Sequence, residues 1–241
     1  LVHWHSDVVG KGLLGLLLRP LEWLMLRRAD RVACTSDFYA EGSAVLRPFL
    51  YKVAAISNGV RDITARDGKT PQLPPQMARE VAGRRIVLAV GRLVPYKGFA
   101  VLIEAARWLP PEVAVVIVGS GPLQSELSAQ IEQLALQAKV LLAGQLGEPA
   151  LEALFRHAAL FCLPSIERSE AFGMAMVEAM AYGLPVVATR IPGSGVPWVN
   201  QHQVSGLNVP VGDPHELARA CMEILQSQEL HRQLAAGARR R

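Results

Sequence analysis

Ser169-Glu-Ala-Phe-Gly-Met-Ala-Met-Val-Glu-Ala-Met-Ala-Tyr-Gly-Leu-Pro-Val-Val-Ala-Thr189 decides how the rest of the chain is read. Met174 to Tyr182 are mostly good helix formers, Gly183 and Pro185 supply a stop, and Val186 to Thr189 reads as a strand. The spacing therefore predicts a loop, a helix and a buried strand in succession, one unit of an α/β fold. Glu170 precedes the helix and Glu178 lies inside it, with seven residues between them. Gly173 allows close backbone approach at the helix start, where free N–H groups and two carboxylates can meet an anion or sugar hydroxyls. Taken alone, the pair reads as a solvated helix residue and a first-turn acid that favours the helix dipole. Matching elements on either side reverse that reading.

From Arg85 onward the candidate strands are Ile86–Val90, Val113–Val118, Val140–Ala143, Leu160–Leu163, Val186–Thr189 and Leu207–Val209. Phe99–Leu109, Leu123–Gln137, Ala150–His157 and Met174–Tyr182 separate them as helices. Apolar strands alternating with amphipathic helices predict a Rossmann-like parallel sheet covered on both faces. Upstream, strands at Leu1–Trp4, Arg31–Thr35 and Lys52–Ile56 with helices at Leu13–Arg28 and Asp37–Leu46 predict the end of another α/β domain. Arg61–Gly83 shows no periodicity and reads as a linker. The expected organisation is residues 1–60, the C-terminal part of a first Rossmann-like domain, then a linker over 61–83, then a Rossmann-like domain over 84–241.

Ligands of such sheets bind outside the carboxyl ends of the strands. There the sequence places Gly91-Arg92-Leu-Val-Pro-Tyr-Lys97-Gly98, two cations on a loop that opens a helix, suited to a diphosphate. Gly119-Ser-Gly121 ends the next strand, a turn that is common to α/β folds and a weak signal by itself. Gly144-Gln-Leu146-Gly147 follows the third, and Leu163-Pro-Ser-Ile-Glu-Arg-Ser-Glu170 joins the fourth to the helix with two glutamates. Near the start, His5 in Trp4-His5-Ser6-Asp7 ends an apolar strand, whereas His3 is read as structural. A hydrolase triad built on Ser6 and Asp7 is excluded, since adjacent residues do not supply nucleophile, base and orienter, and no Gly-x-Ser-x-Gly turn is present.

Together these motifs resemble the retaining nucleotide-sugar glycosyltransferases of glycosyltransferase family 4, which have the two-domain GT-B fold and include bacterial surface-polysaccharide enzymes. The resemblance runs on through Pro192–Asn200 and Ser205–Pro214, covers essentially the whole chain and is most specific between Gly91 and Asp213. It implies transfer of a hexose, from GDP-mannose or a UDP-hexose, to a glycan or lipid-linked hydroxyl with the anomeric configuration retained. In that scheme His5, Arg92, Lys97 and Glu170 form the catalytic set, with His5 facing the donor sugar from the first domain. Gly91, Gly119, Gly121, Leu146, Phe172, Gly173, Met174 and Glu178 bind the donor, with Glu178 accepting hydrogen bonds from the ribose. Leu146 stands for main-chain readout of the base, so the base itself is not legible. No metal or other cofactor is expected: Asp-x-Asp and His/carboxylate clusters are missing, and Arg92 and Lys97 can meet the charge of a departing diphosphate.

The departure from the family pattern is length. Both ends read as cuts, with most of an acceptor-side domain and a C-terminal helical return missing, which leaves the acceptor and independent activity open. A catalytically silent nucleotide-sugar-binding fragment is one alternative, and a GT-B nucleotide-sugar epimerase or phosphorylase is another.

The bulk composition agrees with a packed globular chain that is neither disordered nor fibrous. The 241 residues are 51% hydrophobic, enough for a substantial core. Net charge is +4, of which Arg239 to Arg241 contribute three, and aromatic residues are only 6%, so no nucleic-acid footprint follows. Cys34, Cys162 and Cys221 lie far apart in apolar surroundings and read as reduced thiols of a cytoplasmic protein. Gly12–Leu26 is strongly apolar, but Arg19, Pro20 and Glu22 interrupt it short of the ~18 to 20 residues a membrane span needs. With Lys11, Arg19, Arg27 and Arg28 around its leucines, segment 11–28 reads either as a helix packed on its own domain or as a peripheral contact with the inner face of a membrane. No signal peptide is visible.

Overall fold

In the computed structural model, which describes residues 1–8, 12–60 and 71–241, the strands fall into two all-parallel sheets. The first holds β1 (Val2–Trp4), β2 (Val32–Cys34) and β3 (Val53–Ala55) in that order, linked by α1 (Gly12–Arg28) and α2 (Asp37–Gly42). Expected helix 37–46 is shorter than its pattern: after Gly42 the chain turns, then makes a 3-10 stretch at Arg47–Lys52 where Pro48 removes an amide donor. The buried Lys52 ammonium donates to the main-chain oxygens of Arg27 and Ala29, satisfying carbonyls at the end of α1.

Residues 61–70 of the expected linker lie outside the described residues. Its remainder is not all loop: α3 (Pro75–Glu80) starts on a proline and buries Met77, with Val81 just beyond it, against the second sheet. Two prolines mask a helix of this length in the sequence, because proline is tolerated only in its first turn.

Six strands form the second sheet: β4 (Arg85–Val90), β5 (Val113–Val118), β6 (Val140–Gly144), β7 (Ala158–Leu163), β8 (Val186–Thr189) and β9 (Gly206–Val209). Their spatial order is β6-β5-β4-β7-β8-β9. The winding therefore reverses between β4 and β7, and the loops leaving those two strands diverge to opposite faces and open a crevice. Helices α4 (Phe99–Ala105), α5 (Gln124–Gln133), α6 (Glu148–His157), α7 (Met174–Ala181), α8 (Val196–Val199), α9 (Pro214–Gln226) and α10 (Gln228–Arg240) complete the layers.

Strand periodicity sorts the core into two halves. Val87, Ala89, Val115, Ile117, Leu160 and Cys162 face one helix layer with Leu102 of α4 and Leu217 and Cys221 of α9. Ile86, Leu88, Val116, Phe161 and Leu163 face the other, with Leu154 of α6 and Met176, Ala179 and Met180 of α7. Burial on both faces is why these strands read as continuous apolar runs. All three cysteines are buried and unpaired by disulfides. A smaller core under the first sheet joins Trp4, Leu26, Cys34, Tyr39 and Phe49, and Ala171 of the β7–α7 loop packs against it. That loop therefore touches both sheets.

Candidate functional site

The loop after β4 and the loop after β7 meet at the reversal point. Tyr96 O accepts from Ile166 N at 2.8 Å, and Lys97 Nζ lies 2.7 Å from Glu170 Oε2. The pair is largely removed from water, with side chains 13% and 8% exposed. Buried Ser165 donates to the same glutamate oxygen at 2.8 Å, and Ser194 donates its hydroxyl to the main-chain oxygen of Glu170. Lys97 also folds back along Gly91, where an added Cβ would lie 3.2 Å from Lys97 Cε. Gly91, Lys97 and Glu170 thus form one cluster although 79 positions of chain separate the first from the last.

Exposed Arg92 lines an adjoining cavity of about 480 Å³ with Gly91, Gly119, Gly121, Leu146 and Leu151. The glycine turn is required there by packing. A Cβ on Gly119 would sit 1.9 Å from Gly91 O, and one on Gly121 would sit 2.4 Å from Leu93 O. Its glycines let the β5 turn lie against the β4 loop, a reason that applies with or without a ligand. Leu151 also borders a second cavity of about 340 Å³ lined by Met174, Glu178, Tyr182 and Glu148, with Gly59 from the segment after β3. Glu178 is half-buried there, and burial pushes its carboxyl above the ordinary glutamate range.

Local sequence explains how these groups are held. Gly173 caps α7 in the left-handed region, and Met176, Ala179 and Met180 turn inward, so Met174 and Glu178 face the cavity. Phe172 behaves differently from its neighbours: its ring is buried in the core, 6.2 Å from Trp198. His5 follows β1 and is exposed, its ring centroid 4.0 Å from that of His3. Two residues on, Asp7 bonds Arg168 of the β7–α7 loop at 2.8 Å, so the first sheet's carboxyl end reaches the loop that carries Glu170. Ser165, Ser194, Asp7 and Arg168 stand inside the motif-bearing stretches, with no role assigned to them from the sequence. Their positions beside His5, beside Glu170 and in the 192–200 stretch were the available signal.

A doubly wound parallel sheet with cations, carboxylates and glycine turns gathered at its reversal point defines the class. Within it, residues 76–241 match the model of the family described as glycosyl transferases group 1, and the chain belongs to that family. It is 35% identical over 221 residues to the D-rhamnosyltransferase WbpZ of Pseudomonas aeruginosa, covering 91% of this chain and 56% of that protein. Identity to the O-antigen chain mannosyltransferase C of Escherichia coli is 31% over 240 residues, which is 100% of this chain and 63% of that one. Among solved structures, Anabaena Alr3699/HepE in complex with UDP and glucose superposes with a TM-score of 0.82 at 25% identity, covering 99% of this chain and 65% of that one. Sucrose-phosphate synthase from Thermosynechococcus elongatus gives 0.79 at 25%, over 99% and 61%. The fold is the GT-B α/β type, and the chain spans 56% and 63% of the length of the two curated relatives.

Proposed function

We propose that this protein transfers a hexose from a nucleotide diphosphate sugar to a hydroxyl of a glycan or lipid-linked acceptor, in bacterial surface-polysaccharide synthesis. The observation that carries the reading is the Lys97–Glu170 pair at the sheet's reversal point, flanked by the Arg92 and Glu178 cavities. Arg92 and Lys97 supply positive charge where a departing diphosphate accumulates negative charge, a role otherwise filled by a divalent ion, so we expect turnover without an obligatory metal. Glu178 accepts hydrogen bonds from ribose hydroxyls, and Glu170 from the donor sugar. The solved Anabaena relative is described in complex with UDP-glucose, and two relatives are named as a rhamnosyltransferase and a mannosyltransferase, which supports a nucleotide hexose as donor.

Retention of configuration is part of the proposal. Glu170 Oε2 already accepts from Lys97 and Ser165, and a carboxylate so engaged is a poor free nucleophile. That favours front-face attack assisted by the leaving phosphate over a covalent glycosyl-enzyme. A trapped adduct on Glu170, detected by mass spectrometry with a slow donor, would overturn this step.

The first experiment is a calorimetric titration with UDP, GDP, ADP and dTDP, with Arg92→Ala as the control. Binding of one nucleotide, lost in the variant, supports the donor site and names the base. Because the chain spans under two thirds of its relatives' length, a silent donor-binding module is the second reading. Binding without consumption of the nucleotide sugar, with candidate acceptors present, would select it. We also propose that α1 rests on an anionic membrane surface on the cytoplasmic side. Lys11, part of that expected contact, lies outside the described residues.

A further inference from the structure

Arg168 is the most heavily engaged side chain of the β7–α7 loop, and it sits two positions before Glu170. Its Nη1 donates to Asp7 Oδ2 at 2.8 Å, its Nε donates to Gly193 O at 2.9 Å, and its guanidinium carbon lies 4.8 Å from the centre of the Tyr39 ring. Asp7 is equally constrained from its own side. Its other oxygen accepts from the Trp4 indole at 3.0 Å and the Ser43 hydroxyl at 2.7 Å, and its main-chain N donates to the Tyr39 hydroxyl at 2.6 Å. The two side chains are 22% and 8% exposed. An exposed ion pair is worth little and its partners swing freely; here the carboxylate is also held from its own side by Trp4 of β1 and by Ser43 just past α2.

The connection continues to Glu170 by a second route. Ser194 donates to Glu170 O, Gly195 N donates to Ala171 O at 2.9 Å, and the Gly193 end of the same turn lies against α2. A Cβ on Gly42 would meet Gly193 Cα at 2.6 Å. Glu170 is therefore held within its own sheet's loops through Lys97, Ser165 and Ser194, and the loop that carries it is tied to the first sheet through the Arg168–Asp7 pair and the Gly42–Gly193 approach. One Arg168 nitrogen, Nη2, is buried with no hydrogen-bond partner among the described residues.

We propose that Asp7 and Arg168 are positioning residues that set the sugar end of the donor site, fixing Glu170 on one sheet relative to His5 on the other. The inference rests on the nucleotide-sugar reading above. It predicts an effect specific to the sugar, because the cavities beside Arg92 and Glu178 receive the nucleotide and are reached by neither side chain. An arginine that merely joined two sheets would affect stability and both ligands alike.

The test uses the whole chain and compares, by calorimetry, the affinity for a nucleoside diphosphate with that for its hexose conjugate, using UDP with UDP-glucose and GDP with GDP-mannose. Arg168→Ala and Asp7→Asn are expected to lower the conjugate-to-diphosphate affinity ratio about 5- to 10-fold while diphosphate affinity stays within about 2-fold, less than the loss of a charge-assisted bond made to the ligand directly, because both residues act through Glu170. Arg168→Lys keeps the charge without the planar fork and should restore only part of the ratio. The double variant should be no worse than either single one, since both break the same pair. An unchanged ratio, or equal loss for both ligands, overturns the inference. Asp7→Asn is close in shape to the native residue and serves if the alanine variant melts early. Failure of the unmodified chain to bind any nucleotide is a different result, which removes the donor-site reading itself and this inference with it.

Discussion

Glu178 illustrates how a single half-buried residue can oppose stability at a proposed binding position. Burial raises its carboxyl above the ordinary range, so the folded state holds the proton more tightly than the unfolded state does. The associated stability is complete below the unfolded value and is lost as pH rises through the raised folded value. Near neutral pH the ionised side chain therefore costs stability. Glu178→Gln should raise the melting temperature at pH 7 and show a smaller difference from the parent in acid. The same change removes the charge-assisted acceptor proposed for the ribose, so on that proposal nucleotide affinity should fall roughly 10- to 100-fold, following the ~1.5 to 3 kcal/mol of such a bond. In the unmodified chain, nucleotide binding should weaken as pH falls through a window that begins above the usual glutamate range. Lys97 gives the complementary case. Its removal leaves Glu170 buried without its cation, and Lys97→Met is expected to lose about 3 kcal/mol in urea unfolding, with Lys97→Met/Glu170→Gln regaining part of it. A double variant no more stable than the single one would mean that Ser165 alone satisfies Glu170.

At the scale of elements, the site depends on how closely two loops approach. Gly98 starts α4 at φ 66°, and a Cβ there would fall 2.0 Å from Pro164 O, so neither loop has room to yield locally. Gly98→Ala combines left-handed backbone strain of ~1 to 2 kcal/mol with that clash. We expect a loss above about 2 kcal/mol, together with weaker nucleotide binding as the β4 and β7 loops separate. A melting curve matching the parent would show that the loops can part freely. The strands and α7 were legible because the second sheet is buried on both faces and its helices follow simple start and stop chemistry. Less of the connections could be read. Helix α3 hides behind prolines, and the 3-10 turn at Ala106–Trp108 closes α4 before its apolar pattern ends. Within the site, Arg92, Lys97, Glu170 and Glu178 stood in local motifs, whereas Asp7 and Arg168 become partners only through the approach of two sheets. Local pattern carries no information about a contact made across 161 positions.

At the scale of the whole molecule, the unpartnered surface of α1 stands out. Leu13 and Leu17 are 81% and 73% exposed, Leu14, Leu16, Leu21 and Trp23 are exposed as well, and only Leu26 is buried within the helix. A contiguous apolar surface of this kind marks a contact with lipid or protein. Among the described residues no helix is long and apolar enough to cross a membrane, so a lipid contact here would be lateral. Arg19, Arg27 and Arg28 accompany the leucines, and Trp23 has the amphipathic ring suited to a headgroup layer. Each basic side chain near an anionic surface adds about 1 kcal/mol, and leucine insertion adds the apolar term, so both vesicle charge and leucine identity should matter. The chain is expected to co-sediment with anionic vesicles and much less with zwitterionic ones, and to be partly released as the Debye length shortens from ~10 Å near 0.1 M salt toward ~3 Å near 1 M. Leu13→Glu with Leu17→Glu should abolish binding without lowering the melting temperature, since both side chains already face water. Equal sedimentation of the parent and this variant would sink the lipid assignment. Absence of parent binding to anionic vesicles at low salt would equally remove the lipid assignment.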